Sequence, residues 1–357
     1  MTIENQAAMT RFVRPHIAQM AGYVPGEQPQ GGGFIKLNTN ENPYPPSPRV
    51  KEALSDAITD RLRLYPDPMA TEFRRAVAEL HGVEPDMVLA GNGSDDLLTI
   101  LIRAFVGPGD LTGFPSPSYL LYSTLVALQD GRSLVVPYSG DWTLPTSALA
   151  VQGLKLFFLA NPDSPSGTAL DRSQIAALAD SLGCPLVVDE AYADFADPCH
   201  HALPLLEDHP NVIVTRSFSK GYSLAGIRLG YLIARADLVE QLVKVKDSYN
   251  CDMLSQVAGA AGLRDQVYLE QTRAKIVATR GRLTSALRSM GYRVPDSQAN
   301  FVWATEGPPA RATFQRLKDQ RILVRLMTYP GYPEGLRISI GTDGEIDRLL
   351  EALRAIG

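Results

Sequence analysis

Residues 185–195, PLVVDEAYADF, and residues 211–231, NVIVTRSFSKGYSLAGIRLGY, decide the fold. In each, an apolar run such as LVVD or VIVT stays apolar until its last residue. A strand covered on both faces of a parallel sheet has this character, because neither face meets water. The polar residue ending each run falls at a strand's carboxyl end, where open α/β sheets display ligand-binding side chains.

Working outward, MVLA (87–90), LTGF (111–114), LKLFFLA (154–160) and GIRLGYLIA (226–234) repeat the pattern, alternating with amphipathic helical stretches. These βα units predict an α/β domain with a mostly parallel central sheet and helices on both faces. After residue 265 the order changes to a long charged helix through QTRAKIVATRGRLTSALRSM, a strand NFVWA, a helix ARATFQRLKDQ, strands ILVRLM and GLRISIG, and a last helix EIDRLLEALRAIG. This predicts a smaller α+β domain. GYVPGEQPQGGG (22–33) and NENPYPPSP (40–48) hold too much Pro and Gly for regular structure, so the N-terminus is expected to be an extended arm. The expected division is an arm over 1–45 joining the small domain, a large domain over 46–264 and a small domain over 265–357.

With 357 residues, 45% hydrophobic and 20% charged, the chain is that of a globular protein with a substantial core. A net charge of -5 and the absence of any Lys/Arg-rich run argue against nucleic acid or anionic lipid as partners. The first residues lack the apolar region of a secretory signal, and no apolar stretch approaches the ~20 residues that cross a bilayer. The expected location is cytoplasmic. Cys184, Cys199 and Cys251 are odd in number and far apart, which suits reduced thiols and no disulfide framework.

An isolated Asp189 at a strand end would ordinarily cap the next turn. Lys220 follows the next strand, so neighbouring βα units deliver both residues to one crevice. A lysine amine is protonated near neutrality and a poor nucleophile unless desolvated or held as a Schiff base. Pyridoxal phosphate holds it so, and its ring nitrogen needs a carboxylate partner, here Asp189, to act as an electron sink. Tyr192 would then reach the cofactor's 3-hydroxyl.

The cofactor phosphate needs a cradle. AGNGSDDLLTILIRAF (90–105) offers a glycine turn, Ser94 as N-cap, two acids in the first turn and Leu97, Leu98, Leu101 and Phe105 at helical spacing. The free N–H groups of Ser94 and Asp95 would form an anion site. Ser217 and Ser219 add hydroxyls, and Arg228 a planar fork. In FPSPSYLLY (114–122) Tyr119 is either a packed ring or a stacking partner for the pyridine. ANPDSPSG (160–167) either touches the cofactor or merely punctuates the chain. Arg337, inside the apolar strand of EGLRISIGT, needs an anion: an internal carboxylate or the substrate's own. DPCHH (197–201) places three ligand types in one loop, too close together for a tetrahedral ion, and is read as a surface loop with no metal.

In this order, LNTNENPYP (37–45), LYPDP (64–68), GNGSDD (91–96), FPSPSY (114–119), NPDSPSG (161–167), VVDEAYADF (187–195), SFSKGYSLAGIRLGY (217–231) and GLRISIGT (335–342) resemble the fold-type I pyridoxal-phosphate aminotransferases, most closely the histidinol-phosphate aminotransferase group. The resemblance covers nearly the whole chain. It implies Lys220 as the Schiff-base lysine, Asp189 as partner of the ring nitrogen, Tyr192 as partner of the 3-oxygen and Tyr119 against the ring face. It implies Gly93, Ser94, Ser217, Ser219 and Arg228 around the phosphate, with Tyr65 from the other subunit of a homodimer. Arg337, with Arg325, Tyr23 and Asn40, would bind substrate. The family has Asn before its Pro-Thr-Gly turn; this chain has Ser164 there and Asn161 three residues earlier, leaving both as candidates for the 3-oxygen contact.

The implied activity is a ping-pong transfer of an amino group between L-histidinol phosphate and 2-oxoglutarate, a step of histidine biosynthesis. An aromatic amino acid aminotransferase and a threonine-phosphate decarboxylase-like lyase share the cofactor residues. A cofactor-sensing regulator is disfavoured, since no helix-turn-helix segment precedes the arm.

Overall fold

The structure, a computed structural model, describes residues 10–23, 26–29, 31–140, 142–145 and 151–356. After a short strand β1 (Ile35–Lys36) come β2 (Val88–Gly91), β3 (Leu111–Ser116), β4 (Arg132–Pro137), β5 (Leu154–Ala160), β6 (Leu186–Asp189), β7 (Val212–Ser217) and β8 (Gly230–Ile233). β2 to β8 form a seven-stranded sheet in the order β2-β8-β7-β6-β5-β3-β4. The pairs among β3, β4, β5, β6 and β7 are parallel, whereas β8 runs antiparallel to both β7 and β2. The mostly parallel sheet expected from the βα alternation is therefore present, with one reversed strand.

Successive side chains of a strand point to opposite faces. In β5, Phe157 and Leu159 enter one apolar cluster while Leu156 and Phe158 enter another; in β6, Val188 and Val187 divide likewise. Helices cover both faces, and this is why these runs lack alternation. Each such side chain, fully buried, contributes about 1.5–3 kcal/mol of transfer free energy. β4, which the apolar runs did not signal, lies at the sheet edge, with exposed residues interrupting RSLVVP.

The helix Gln266–Ser289 leads to β9 (Phe301–Ala304), the helix Ala310–Asp319, β10 (Ile322–Leu323), β11 (Arg325–Met327), β12 (Gly335–Ser339) and the helix Asp343–Ile356. β11, β12 and β9 make an antiparallel sheet, and β1 pairs in parallel with β10, tying the N-terminal segment to this unit. Ile276, Leu283, Val302, Leu336, Ile338 and Leu349 belong to its own core. Among the described residues, no helix is long and apolar enough to cross a membrane. The DPCHH loop contains a 3-10 turn at Pro198–His200; the rings of His200 and His201 meet the carbonyls of Leu170 and Ala193 at 3.0 Å each.

Candidate active site

β6 and β7 end at Asp189 and Ser217, and β2 ends at Gly91, just before the helix Ser94–Phe105. Because β8 is reversed, its first residue, Gly230, lies at the same end, paired with both Ser217 and Gly91. A cavity of about 390 Å³ opens there. Lys220, Asp189, Tyr192, Tyr119, Ser94, Asp95, Ser164, Ser217, Ser219, Arg228, Arg325, Arg337, Asn40 and Tyr23 all line it.

One wall is built for an anion. Gly93, at φ +84°, caps the helix, and Ser94 is its first residue; the expectation that Ser94 is the N-cap is corrected, because only glycine adopts this backbone without strain. A Cβ on Gly93 would stand 2.6 Å from Arg228 Nη2, and one on Gly230 2.7 Å from the Ser94 nitrogen. The two glycines thus let Arg228 and strand β8 close on the helix start, whose first N–H groups have no partner within the helix. Arg228 Nη1 donates to Ser219 Oγ (3.2 Å) and to the Ala225 carbonyl (3.1 Å), while Ser217 Oγ accepts from the Ser219 N–H (3.2 Å). Both hydroxyls act here as acceptors and keep their protons to donate.

Asp189 is buried at the centre. Tyr122 donates to its Oδ2 at 2.9 Å and Thr215 to its Oδ1 at 3.1 Å. Burial pushes its carboxyl up to about 6, the Tyr122 hydrogen bond opposing, and no cation stands within ion-pair distance among the described residues. A buried carboxylate so placed stabilises a positive charge brought to it.

Lys220 is partly buried, and its Nζ donates to the Thr39 carbonyl at 3.1 Å. Burial, and after it the charge of Arg337, lowers the amine to about 8. Tyr192 accepts from Asn40 Nδ2 at 3.0 Å and packs edge-on against Phe301, with centroids 4.9 Å apart. Burial pushes its hydroxyl up, against Arg337 and the Asn40 hydrogen bond.

Across the cavity, Arg325 and Arg337 are directly opposed in the β11–β12 ladder and share one face. Arg337 Nη1 donates to Ser164 Oγ (3.0 Å) and Nη2 to the Asn38 carbonyl (3.2 Å), while its buried Nε has no partner. No described carboxylate lies within 4.0 Å of it. Of the two anions open to Arg337 from its sequence, the internal one is absent.

The family model for aminotransferase class I and II matches residues 33–353. The chain belongs to this aminotransferase family. A Rhodopirellula baltica protein named histidinol-phosphate aminotransferase is 50% identical over 94% of this chain and 92% of its own length. A Nostoc sp. protein named histidinol-phosphate aminotransferase 1 is 45% identical over 97% of this chain and 98% of its own. The crystal structure of histidinol-phosphate aminotransferase from Sinorhizobium meliloti in complex with pyridoxal-5'-phosphate superposes with a TM-score of 0.88 at 30% identity, covering 98% of this chain and all of that one.

The aminotransferase cavity fits pyridoxal phosphate: hydroxyl protons and a guanidinium at one end for the phosphate, the cation-free Asp189 for the ring nitrogen, and the Lys220 amine for the aldehyde. One expected contact needs correcting. Asn161 faces away from the cavity: its Nδ2 donates to the Leu170 and His200 carbonyls (3.2 and 2.9 Å) and its Oδ1 accepts from the Leu170 N–H (2.8 Å), so it braces the loop and has nothing left to offer the ring. Ser164 is the one of the pair that lines the cavity. Asn40 lines the cavity, where its Nδ2 donates to Tyr192 and its Oδ1 accepts from Ser339.

Tyr119 donates to Asp95 Oδ1 at 3.2 Å and meets Tyr23 edge-on at 6.1 Å. Tyr65 lies outside this cavity, 80% exposed and stacked on Tyr249 at 4.5 Å. Tyr122, Thr215, Glu41 and Asn42 were not singled out from the sequence. None of them left a distinctive signal there: Tyr122 is one apolar position of the helix Leu121–Leu128, which begins after Tyr119.

The lowered amine has a measurable consequence. Lysine ordinarily titrates near 10.4, and only the neutral amine attacks an aldehyde. Capture of added pyridoxal phosphate by the cofactor-free aminotransferase is therefore expected to quicken with pH and level off just above 8, as stopped-flow absorbance will show. Arg337→Ala, which removes a cation that disfavours the ammonium, should move the plateau to higher pH.

Proposed function

We propose that this aminotransferase moves an amino group between L-histidinol phosphate and 2-oxoglutarate, giving imidazole acetol phosphate and glutamate, in the cytoplasmic synthesis of histidine. The cofactor is pyridoxal 5'-phosphate. The observation that carries the substrate class is the opposed pair Arg325–Arg337, presented to the cavity by the β11–β12 ladder, a different element from the turn that carries Arg228. Like charges facing each other across a ladder destabilise it unless an anion lies between them. With Arg228, Ser94, Ser217 and Ser219 engaged by the cofactor, Arg337, which has no described carboxylate partner, would take a phosphate monoester in one half-reaction and a carboxylate in the other, since a guanidinium fork matches both. The names of the relatives at 50% and 45% identity agree with this substrate.

When bound, the cofactor supplies an electron sink for the carbanion formed at the substrate's α-carbon. The chain's own groups do the rest. Asp189, held by Tyr122 and Thr215, would hold a proton on the cofactor's ring nitrogen. Tyr192, oriented by Asn40, and Ser164, oriented by Arg337, would supply donors to the 3-oxygen. Lys220, its amine lowered to about 8, would have a neutral fraction far above that of an ordinary lysine and would carry the α-proton as base. Tyr119, bonded to Asp95, would cover one ring face.

The working form is a homodimer divided into an arm (1–45), a large domain (46–264) and a small domain (265–357). Ile58, Leu62, Leu64, Tyr65 and Tyr249 are large apolar or aromatic side chains exposed on the single chain, as a subunit interface requires. Tyr65, pointing away from its own cavity, would serve the neighbouring one.

Glutamate formation from histidinol phosphate, phenylalanine and tyrosine, measured side by side with CO₂ release from threonine phosphate, tests the assignment. Histidinol phosphate is expected to give the highest kcat/KM. A preference for an unphosphorylated aromatic donor, or decarboxylation, would replace it.

A further inference from the structure

The carbonyls of Lys220 and Gly221 lie in a turn beyond β7, where no helix or ladder supplies donors. One side chain supplies both. Asn42 Nδ2 donates to the Lys220 carbonyl at 3.1 Å and to the Gly221 carbonyl at 3.0 Å, reaching across from the N-terminal segment. Its Oδ1 accepts from the Tyr44 N–H at 3.0 Å, which settles the orientation of the amide: the NH₂ group must face the lysine turn. On the opposite side a Cβ on Gly221 would stand 2.2 Å from Asp194 Oδ2, and Asp194 is itself paired with Arg216 (3.5 Å), which is doubly bonded to Glu190. The turn is therefore held between Asn42 and the Asp194–Arg216–Glu190 network. From the same segment as Asn42, the Thr39 carbonyl receives Lys220 Nζ.

We propose that Asn42 is a positioning residue for Lys220: it fixes the lysine's main chain, and so the point from which its amine swings between cofactor and substrate. This rests on the role proposed above for Lys220. Without Asn42 the Lys220 carbonyl would keep only the long 3.4 Å bond from the Ser223 N–H, and the Gly221 carbonyl would lose its side-chain donor in a partly buried turn. A displacement of about 1 Å at a reacting group costs up to roughly a hundredfold in rate.

In the holoenzyme, Asn42→Ala is expected to lower kcat about tenfold or more while KM for the amino donor stays within about twofold, because the loss falls on the step that Lys220 carries. The visible circular dichroism per bound cofactor should weaken, since a looser lysine holds the chromophore less rigidly; a role confined to fold stability would leave that signal unchanged. Asn42→Ser, keeping a single donor, should fall between parent and alanine variant in both measurements, and it decides the matter if the alanine variant does not fold. Parent-like kcat and dichroism in the variants would overturn the proposal. So would a loss of kcat that merely tracks a loss of bound cofactor. Because Lys220→Ala tests the lysine itself, a parent-like Asn42 variant alongside an inactive Lys220 variant sinks this inference alone.

Discussion

Lys220→Ala is expected to abolish transamination, with kcat falling by at least about 10²–10⁴-fold, the range that a positioned acid–base group commands. The figure is a floor, because the same amine also anchors the cofactor. The purified variant should lose the visible absorbance of the lysine-bound cofactor yet still take up pyridoxal phosphate without a covalent link, since Ser94, Ser217, Ser219, Arg228 and Asp189 remain in place. Lys220→Arg is expected to be equally inactive: a guanidinium stays protonated throughout the working pH range and cannot serve as base. Absorbance, bound phosphate and glutamate formation can be followed on one preparation. A variant retaining a tenth of parental kcat would remove Lys220 from the chemistry altogether.

Arg337→Ala is expected to cost about 3 kcal/mol in kcat/KM for a phosphate-bearing donor, roughly a hundredfold, the worth of one or two hydrogen bonds to a charged group. Arg337 has the Ser164 hydroxyl and the Asn38 carbonyl as partners but no described carboxylate, so its charge awaits an external anion. The loss should appear in both half-reactions, with 2-oxoglutarate as well as with the donor, because one fork receives both. Arg337→Lys restores the charge but not the fork and should recover only part. Initial rates with each substrate varied separately measure the effect. A change below threefold in both half-reactions would mean that the anion binds elsewhere, with Arg325 the next residue to replace.

The residues legible in the sequence were those whose chemistry is rare at a strand end. Asp189, Ser217, Ser219 and Lys220 stand at or just beyond the ends of short apolar runs that read as buried strands, and all of them line one cavity. Arg337 was legible because a charge inside the apolar strand GLRISIG demands a partner. What escaped notice were ordinary residues in ordinary surroundings. Thr215 continues a β-strand, Tyr122 continues a helix, and Asn42 stands in a Pro-rich segment where asparagine is common. Asn161 misled in the opposite direction, since its chemistry suited the ring oxygen while its side chain was already committed to the Leu170 and His200 backbone.

The amino-acid sequence by itself determined the layered α/β architecture, the placing of an acid and an amine on adjacent strand ends, and the supply of hydroxyls and a guanidinium for an anion, because burial on both faces and strand-end display are written in local polarity. Only the tertiary structure decided that β8 runs backwards to bring Gly230 against Ser94, that Arg325 and Arg337 face one another, that Ser164 rather than Asn161 reaches the cavity, and that Asn42 grips the lysine turn. Each of these depends on which distant backbone a side chain meets, and contacts between residues far apart in the chain are settled by packing, not by local pattern.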